Sequence, residues 1–133
     1  MSLKQFTVRT SNTVEMINID VQVNQAIEES QVKGGICTIF VPHTTAGVTI
    51  NENADPDVVR DMVMELNKIV PFQDQYRHME GNSAAHIKST IVGPSLTLII
   101  DNSKPVYGTW QSLYFCEFDG PRTRRFYVKI IQG

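Results

Sequence analysis

Apolar side chains fall at every second residue over much of this chain, and that period restricts it to sheets with one covered face. Phe6 and Val8 open a first strand. Ile17, Ile19, Val21 and Val23 alternate cleanly, which predicts a strand over 16–23. Asn24 is then placed to cap a short helix from Gln25 to about Gln31, ended by Gly34-Gly35. Ile36 to Val41 is apolar on both faces and reads as a strand buried between layers, and Ala46 to Ile50 continues the sheet. Leu96–Ile100, Thr109–Phe118 and Arg124–Ile131 supply three more strands, the last two joined by a turn at Asp119-Gly120-Pro121.

Helical period interrupts this pattern. Val58, Val59, Met62, Val63, Leu66 and Ile69 follow a capping Asp55 and a Pro56 at the first helical position, and Pro71 stops the run. Asn82 is placed to cap a second short helix that holds His86. The 133 residues, 41% of them hydrophobic, make one domain over 1–133 with an ordinary core. The expected fold class is α+β, mainly β: a two-layer β-sandwich with two or three flanking helices.

Composition excludes some partners. A net charge of -2 is wrong for nucleic acid or for a membrane surface held by bulk electrostatics. No stretch approaches the ~18 apolar residues of a membrane span, and Met1-Ser2-Leu3-Lys4-Gln5 lacks the apolar region of a signal peptide. Cys37 and Cys116 lie in β-branched or aromatic runs and read as buried free thiols of a cytoplasmic protein.

The chemistry is concentrated in short polar segments. All three histidines sit in two of them, His43 in Pro42-His43-Thr44-Thr45-Ala46-Gly47, and His78 and His86 at the ends of His78-Met79-Glu80-Gly81-Asn82-Ser83-Ala84-Ala85-His86. Imidazole binds metals and moves protons near neutral pH. Three imidazoles on one cavity could hold Zn²⁺ or another transition metal with an open position; general acid–base work is the competing role. Asp55 is accounted for as a helix cap, whereas Glu52 is an oxygen donor of the kind Mg²⁺ prefers. Glu117-Phe118-Asp119-Gly120-Pro121-Arg122-Thr123-Arg124-Arg125 brings guanidinium forks to one hairpin, either as a salt-bridged turn or as an anion site. Gly81-Asn82-Ser83 opening a helix is a second anion candidate. Trp110 reads as packing. Gln111 and Glu117 share a strand face but lie ~20 Å apart, too far to touch one small ligand within a subunit.

Taken in order, His43-Thr44-Thr45-Ala46-Gly47 with Asn51-Glu52, His78 through Gly81-Asn82 to Ala85-His86, Gly108-Thr109-Trp110-Gln111, and Glu117-Phe118-Asp119-Gly120-Pro121-Arg122 with Arg124 resemble the YjbQ-like family, which carries the label secondary thiamine-phosphate synthase. The resemblance runs from about residue 4 to the C-terminus; Ser103 to Tyr107 departs from the glycine and leucines usual there. It implies a β-sandwich, a homotrimer, and a polar pocket near a subunit boundary. It also implies a low thiamine-phosphate synthase activity, joining a thiazole phosphate to an aminopyrimidine diphosphate with release of pyrophosphate. On this view His43, Glu52, His78, His86, Glu117 and Asp119 are the candidate catalytic groups, with Glu52 and Asp119 holding Mg²⁺. Thr44, Thr45, Asn51, Asn82, Gln111, Arg122 and Arg124 would contact the phosphorylated substrate. A metal-dependent hydrolase using the three histidines and a non-catalytic trimeric binding module are the alternatives.

Overall fold

A computed structural model describes residues 3–133; Met1 and Ser2, from the stretch read as lacking a signal segment, lie outside the described residues. Among the described residues the strands are β1 (Lys4–Arg9), β2 (Glu15–Asn18), β3 (Gly35–Phe40), β4 (Ala46–Glu52), β5 (Ser95–Asp101), β6 (Lys104–Pro105), β7 (Gln111–Glu117) and β8 (Thr123–Gln132). The helices are α1 (Asp20–Ser30), α2 (Pro56–Ile69) and α3 (Ser83–Val92). The strands form two antiparallel sheets, one ordered β1-β8-β3-β5-β6 and one ordered β2-β7-β4. This is the expected α+β, mainly-β sandwich with helices on its flank.

The larger core lies between the two sheets. Cys37, Ile39, Leu98, Phe126, Val128 and Ile130 of the five-stranded sheet meet Val48, Leu113 and Phe115 of the three-stranded one, and α1 adds Val23, Ala26 and Ile27. A smaller core, built on Tyr114, Cys116, Phe118 and Ala85, covers the other face of the three-stranded sheet, with Val59 and Leu66 of α2 and Val92 of α3 packed against it. Leu113 and Phe115 face one core and Tyr114 and Cys116 the other, so β7 is the strand buried on both faces. The sequence assigned that position to Ile36–Val41. There, Cys37, Ile39 and Val41 are buried but Ile36 and Phe40 are 40% and 45% exposed, because no element among the described residues covers the outer face of the five-stranded sheet.

The strand predicted over 16–23 ends early, at Asn18. The Asn18 side chain accepts the Asp20 N–H at 2.8 Å, which turns the chain into α1 four residues before the expected cap at Asn24. Asp20 in turn accepts the Leu113 N–H at 2.9 Å and fixes the helix start on β7. Val23, Ala26 and Ile27 then share a buried stripe while Val21 is 78% exposed, so the alternation at 17, 19, 21 and 23 mixed two periods. Gln31, at φ 59°, ends the helix in place of the glycine pair. For α2 the sequence was right: Pro56 is in the first turn and the Asp55 carboxylate accepts the Asp57 N–H at 2.9 Å. Asn82 precedes α3 but makes no side-chain cap. Trp110 does not pack; it is 62% exposed.

Candidate functional site

Three segments far apart in sequence meet at one end of the sandwich. Their convergence follows from register. Ala46, the first residue of β4, pairs with Glu117, the last of β7, so the β3–β4 turn and the β7–β8 hairpin leave the sheets at the same end. Gly120 lets the hairpin approach the chain after β1: a Cβ there would meet Asn12 O at 2.3 Å and Thr10 Oγ1 at 2.8 Å. The α2–α3 loop closes the third side. Together they bound a cavity of about 450 Å³ lined by Pro42, His43, Thr44, Thr45, His78, Glu80, Asn82, His86, Asp119, Arg122 and Arg124. All three histidines therefore face one space.

Arg124 is the anchor of that space. It is 6% exposed, its Nε donates to both Glu117 oxygens at 2.9 and 3.1 Å, and its Nη2 donates to Thr45 Oγ1 at 2.8 Å and Thr45 O at 3.2 Å. Glu117 is fully buried behind it, and also accepts from Thr10 Oγ1 at 2.8 Å and from the Asp119 N–H at 3.0 Å. Burial alone would raise its pKa, but the bonds from Arg124, the Asp119 backbone and Thr10 outweigh that and hold the carboxyl below its ordinary range. Every lone pair that matters on Glu117 is occupied, so it positions Arg124 and the hairpin instead of meeting a ligand.

Arg122 and Asp119 form the exposed counterpart. Arg122 Nη2 reaches Asp119 Oδ2 at 3.0 Å and its Nε donates to Asp119 O at 2.7 Å. Asn82 Nδ2 donates to the same carboxylate oxygen at 2.9 Å, while Asn82 Oδ1 is buried with no hydrogen-bond partner among the described residues. Asn82 thus trades its expected capping role for a bridge between α3 and the hairpin.

The histidines differ from one another. His78 and His86 stand edge to face, ring centroids 5.5 Å apart. His43 accepts the Arg125 backbone N–H on Nε2 at 3.1 Å. A ring nitrogen that accepts is unprotonated, so the neutral ring carries its proton on Nδ1. Partial burial, then the charges of Arg124 and Arg125, hold its pKa below the ordinary imidazole value. With Nε2 engaged and Nδ1 protonated, His43 has no free lone pair for a metal. No cluster of three or more metal-ligating side chains forms among the described residues. The three-histidine ligand set expected from the sequence does not fit this geometry.

The second motif group lies elsewhere. Glu52 pairs with Gln111 at the far end of β4 and β7, six residues or ~20 Å along the strand from Ala46 and Glu117. Asn51 lines a different cavity, beneath α2. Within one subunit Asn51, Glu52 and Gln111 do not join the histidine cavity, and Glu52 cannot share a Mg²⁺ ion with Asp119. Thr10 and Glu80 are the residues the sequence did not point to. Thr10 lies 107 residues from the carboxylate it bonds, with no local signal; Glu80 could have been found as the carboxylate inside the two-histidine segment.

The fold and site together define a two-sheet β-sandwich with a histidine- and arginine-lined cavity at one end. The chain belongs to the family described as UPF0047 protein YjbQ-like, whose model matches residues 4–133. It is 53% identical to the UPF0047 protein MJ1081 of Methanocaldococcus jannaschii over 129 residues, 97% of this chain and 94% of that one. It is 48% identical to the UPF0047 protein YugU of Bacillus subtilis over 130 residues, 97% of this chain and 98% of that one. A crystal structure of an uncharacterised YjbQ/UPF0047 protein from Clostridium acetobutylicum superposes with a TM-score of 0.95 at 52% identity, covering 96% of this chain and 99% of that one. A YbjQ-like protein of unknown function from Sulfolobus solfataricus superposes equally well, TM-score 0.95, at 31% identity over 99% of this chain and 97% of that one.

Proposed function

We propose that this chain is a small-molecule enzyme acting on a phosphorylated substrate, with a weak thiamine-phosphate synthase activity. One observation carries the reading: three imidazoles and two guanidinium groups line a single cavity of about 450 Å³, within the size range of small-ligand sites. In the reaction the thiazole nitrogen attacks the aminopyrimidine methylene, the C–O bond to the diphosphate breaks, and pyrophosphate departs with the electron pair. This chemistry needs aligned reactants and positive charge at the leaving group, and no protein nucleophile. Arg122 and the free edge of Arg124 supply that charge, the His43 Nδ1–H is a donor for a phosphate oxygen, and Thr44 and Asn82 are further polar contacts. Asp119 and Glu117 are tied to Arg122 and Arg124, which leaves Glu80 as the carboxylate of the lining with no arginine partner among the described residues.

The assembly proposed is the homotrimer. Its support is a row of isoleucines on the uncovered sheet face: Ile99, Ile36 and Ile131 are register neighbours on β5, β3 and β8, 62%, 40% and 49% exposed. Apolar rows of this kind on a soluble domain mark protein contacts. A cytoplasmic setting agrees with the two buried free thiols. A non-catalytic trimeric binding module is the second reading. What favours it is that each arginine already faces a carboxylate, Arg122 to Asp119 and Arg124 to Glu117, which weakens the field available to a leaving diphosphate.

The test is pyrophosphate release from the two purified substrates. Arg122→Ala should abolish release while leaving thermal unfolding unchanged. Equal turnover in the variant removes the leaving-group role; a ligand retained through purification without turnover selects the binding module.

A further inference from the structure

The α2 helix has the amphipathic sequence of a core helix but only leans on the smaller core, where Val59 and Leu66 pack against it half-buried. Val59, Met62, Leu66 and Ile69 recur on one stripe, yet none of the helix's residues is buried. Between that stripe and the three-stranded sheet lies a cavity of about 290 Å³. Met62, Leu66 and Ile69 line it from the helix, Met16 and Cys116 from β2 and β7, and Val92 from α3. It shares no lining residue with the histidine site.

The space is a cleft open to solvent along one edge, where Asn51, Glu65 and Ile69 are exposed. A dry apolar cavity of ~150 Å³ accepts benzene, so the space under α2 suits a fused two-ring system. Two methionines give it walls that adapt to an aromatic face. Its polar groups are few: Thr49, Asn51 and Glu65. Glu65 is the one charged residue of the lining, and among the described residues it takes part in no ion pair. A lone carboxylate at the edge of an apolar pocket favours a cation and rejects an anion.

We infer that the cavity beneath α2 is a second, apolar binding site for a small bicyclic aromatic amine, its ring against Met16, Met62, Leu66 and Cys116 and its ammonium at Glu65. The inference is independent of the function proposed for the histidine site.

The experiment uses the full chain with ¹³C-methyl methionine and three probes: tryptamine, indole and indole-3-acetate. Tryptamine should shift the Met16 and Met62 methyl resonances saturably, leaving the exposed Met64 and Met79 unmoved. Indole should bind at least tenfold more weakly, and indole-3-acetate more weakly still. Glu65→Gln should bring tryptamine down to the level of indole, and Leu66→Trp, which fills the space, should remove both. Absence of a saturable shift up to the solubility limit of tryptamine overturns the site. So does an equal shift at Met79, or indole-3-acetate binding as well as tryptamine. Glu65→Gln touches only the rim, so the test stands even if Leu66→Trp does not fold.

Discussion

Arg124 stands in the cavity wall with Glu117 buried behind it, Nε 2.9 and 3.1 Å from the two carboxylate oxygens, Arg124 6% exposed and Glu117 not exposed at all. Removing one partner of such a pair leaves the other as an uncompensated buried charge, which costs roughly 3 kcal/mol or more. Glu117→Gln should therefore lower unfolding stability by about that amount. Replacing both residues together, Glu117→Leu with Arg124→Met, should recover much of it. Urea denaturation of the two variants beside the native chain checks this. A single Glu117→Gln change that is neutral would show that the pair is solvated in solution.

The same carboxylate gives stability a pH dependence of defined sign. Its pKa is held below the ordinary 4.5 in the folded state. The contribution is thus complete above about pH 4.5 and is lost as pH falls through the lowered folded value. Urea midpoints measured on acidification should fall more steeply for the native chain than for Glu117→Gln. Parallel curves would contradict the assignment.

His43 should titrate below 6.5, its ordinary value, because burial and the two arginine charges disfavour the imidazolium. Protonating it costs folded-state stability, so that contribution is whole above 6.5 and shrinks as pH falls toward the lowered value. Long-range ¹⁵N–¹H correlation should show the proton on Nδ1. A proton on Nε2, or a midpoint above 6.5, would be incompatible with the bond from Arg125.

Metal affinity follows from that tautomer. Any zinc taken up by protein purified without a tag should depend on His78 and His86, and His43→Ala should leave the affinity within about twofold. Calorimetric titration of both proteins decides it. Loss of stoichiometric zinc in His43→Ala would mean that the ring turns and ligates.

Charge placed in the isoleucine row should break the assembly. Ile36→Lys puts an ammonium beside Ile99 and Ile131 on the open sheet face. Light scattering should report a shift to monomer with an unchanged circular dichroism spectrum. A native chain that is itself monomeric would sink the homotrimer.

The sequence was most readable where one period held without interruption. The α2 start at Asp55-Pro56 and the hairpin at Asp119-Gly120-Pro121 follow from cap and turn chemistry, and the strands expected over Ile36–Val41, Leu96–Ile100 and Arg124–Ile131 fall within one residue of β3, β5 and β8. It misled where two periods coincide: Ile17 to Val23 satisfies a strand by spacing, but a side-chain turn at Asn18 decides for a helix. The polar site was legible as residue types and not as roles. His43, His78 and His86 do share a cavity, yet the backbone bond that fixes the His43 tautomer comes from Arg125, 82 residues away. Glu117 looked like a reactive carboxylate and is buried structure. Lys88 had no sequence signal at all: it is fully buried, its Nζ donating to Asn67 Oδ1 at 2.7 Å and lying 4.2 Å from the centre of the Phe72 ring.

No stretch of contiguous chain holds the histidine cavity, since its walls come from the β3–β4 turn, the α2–α3 loop with the start of α3, and the β7–β8 hairpin with the start of β8. A fragment or a partly opened form accordingly has nothing to offer a ligand, and occupancy is a property of the finished molecule. Saturation at a hundredfold excess over the dissociation constant should then raise global stability by ~2.7 kcal/mol. Melting shifts across a panel of phosphorylated compounds become a way to find the natural occupant without knowing what happens to it.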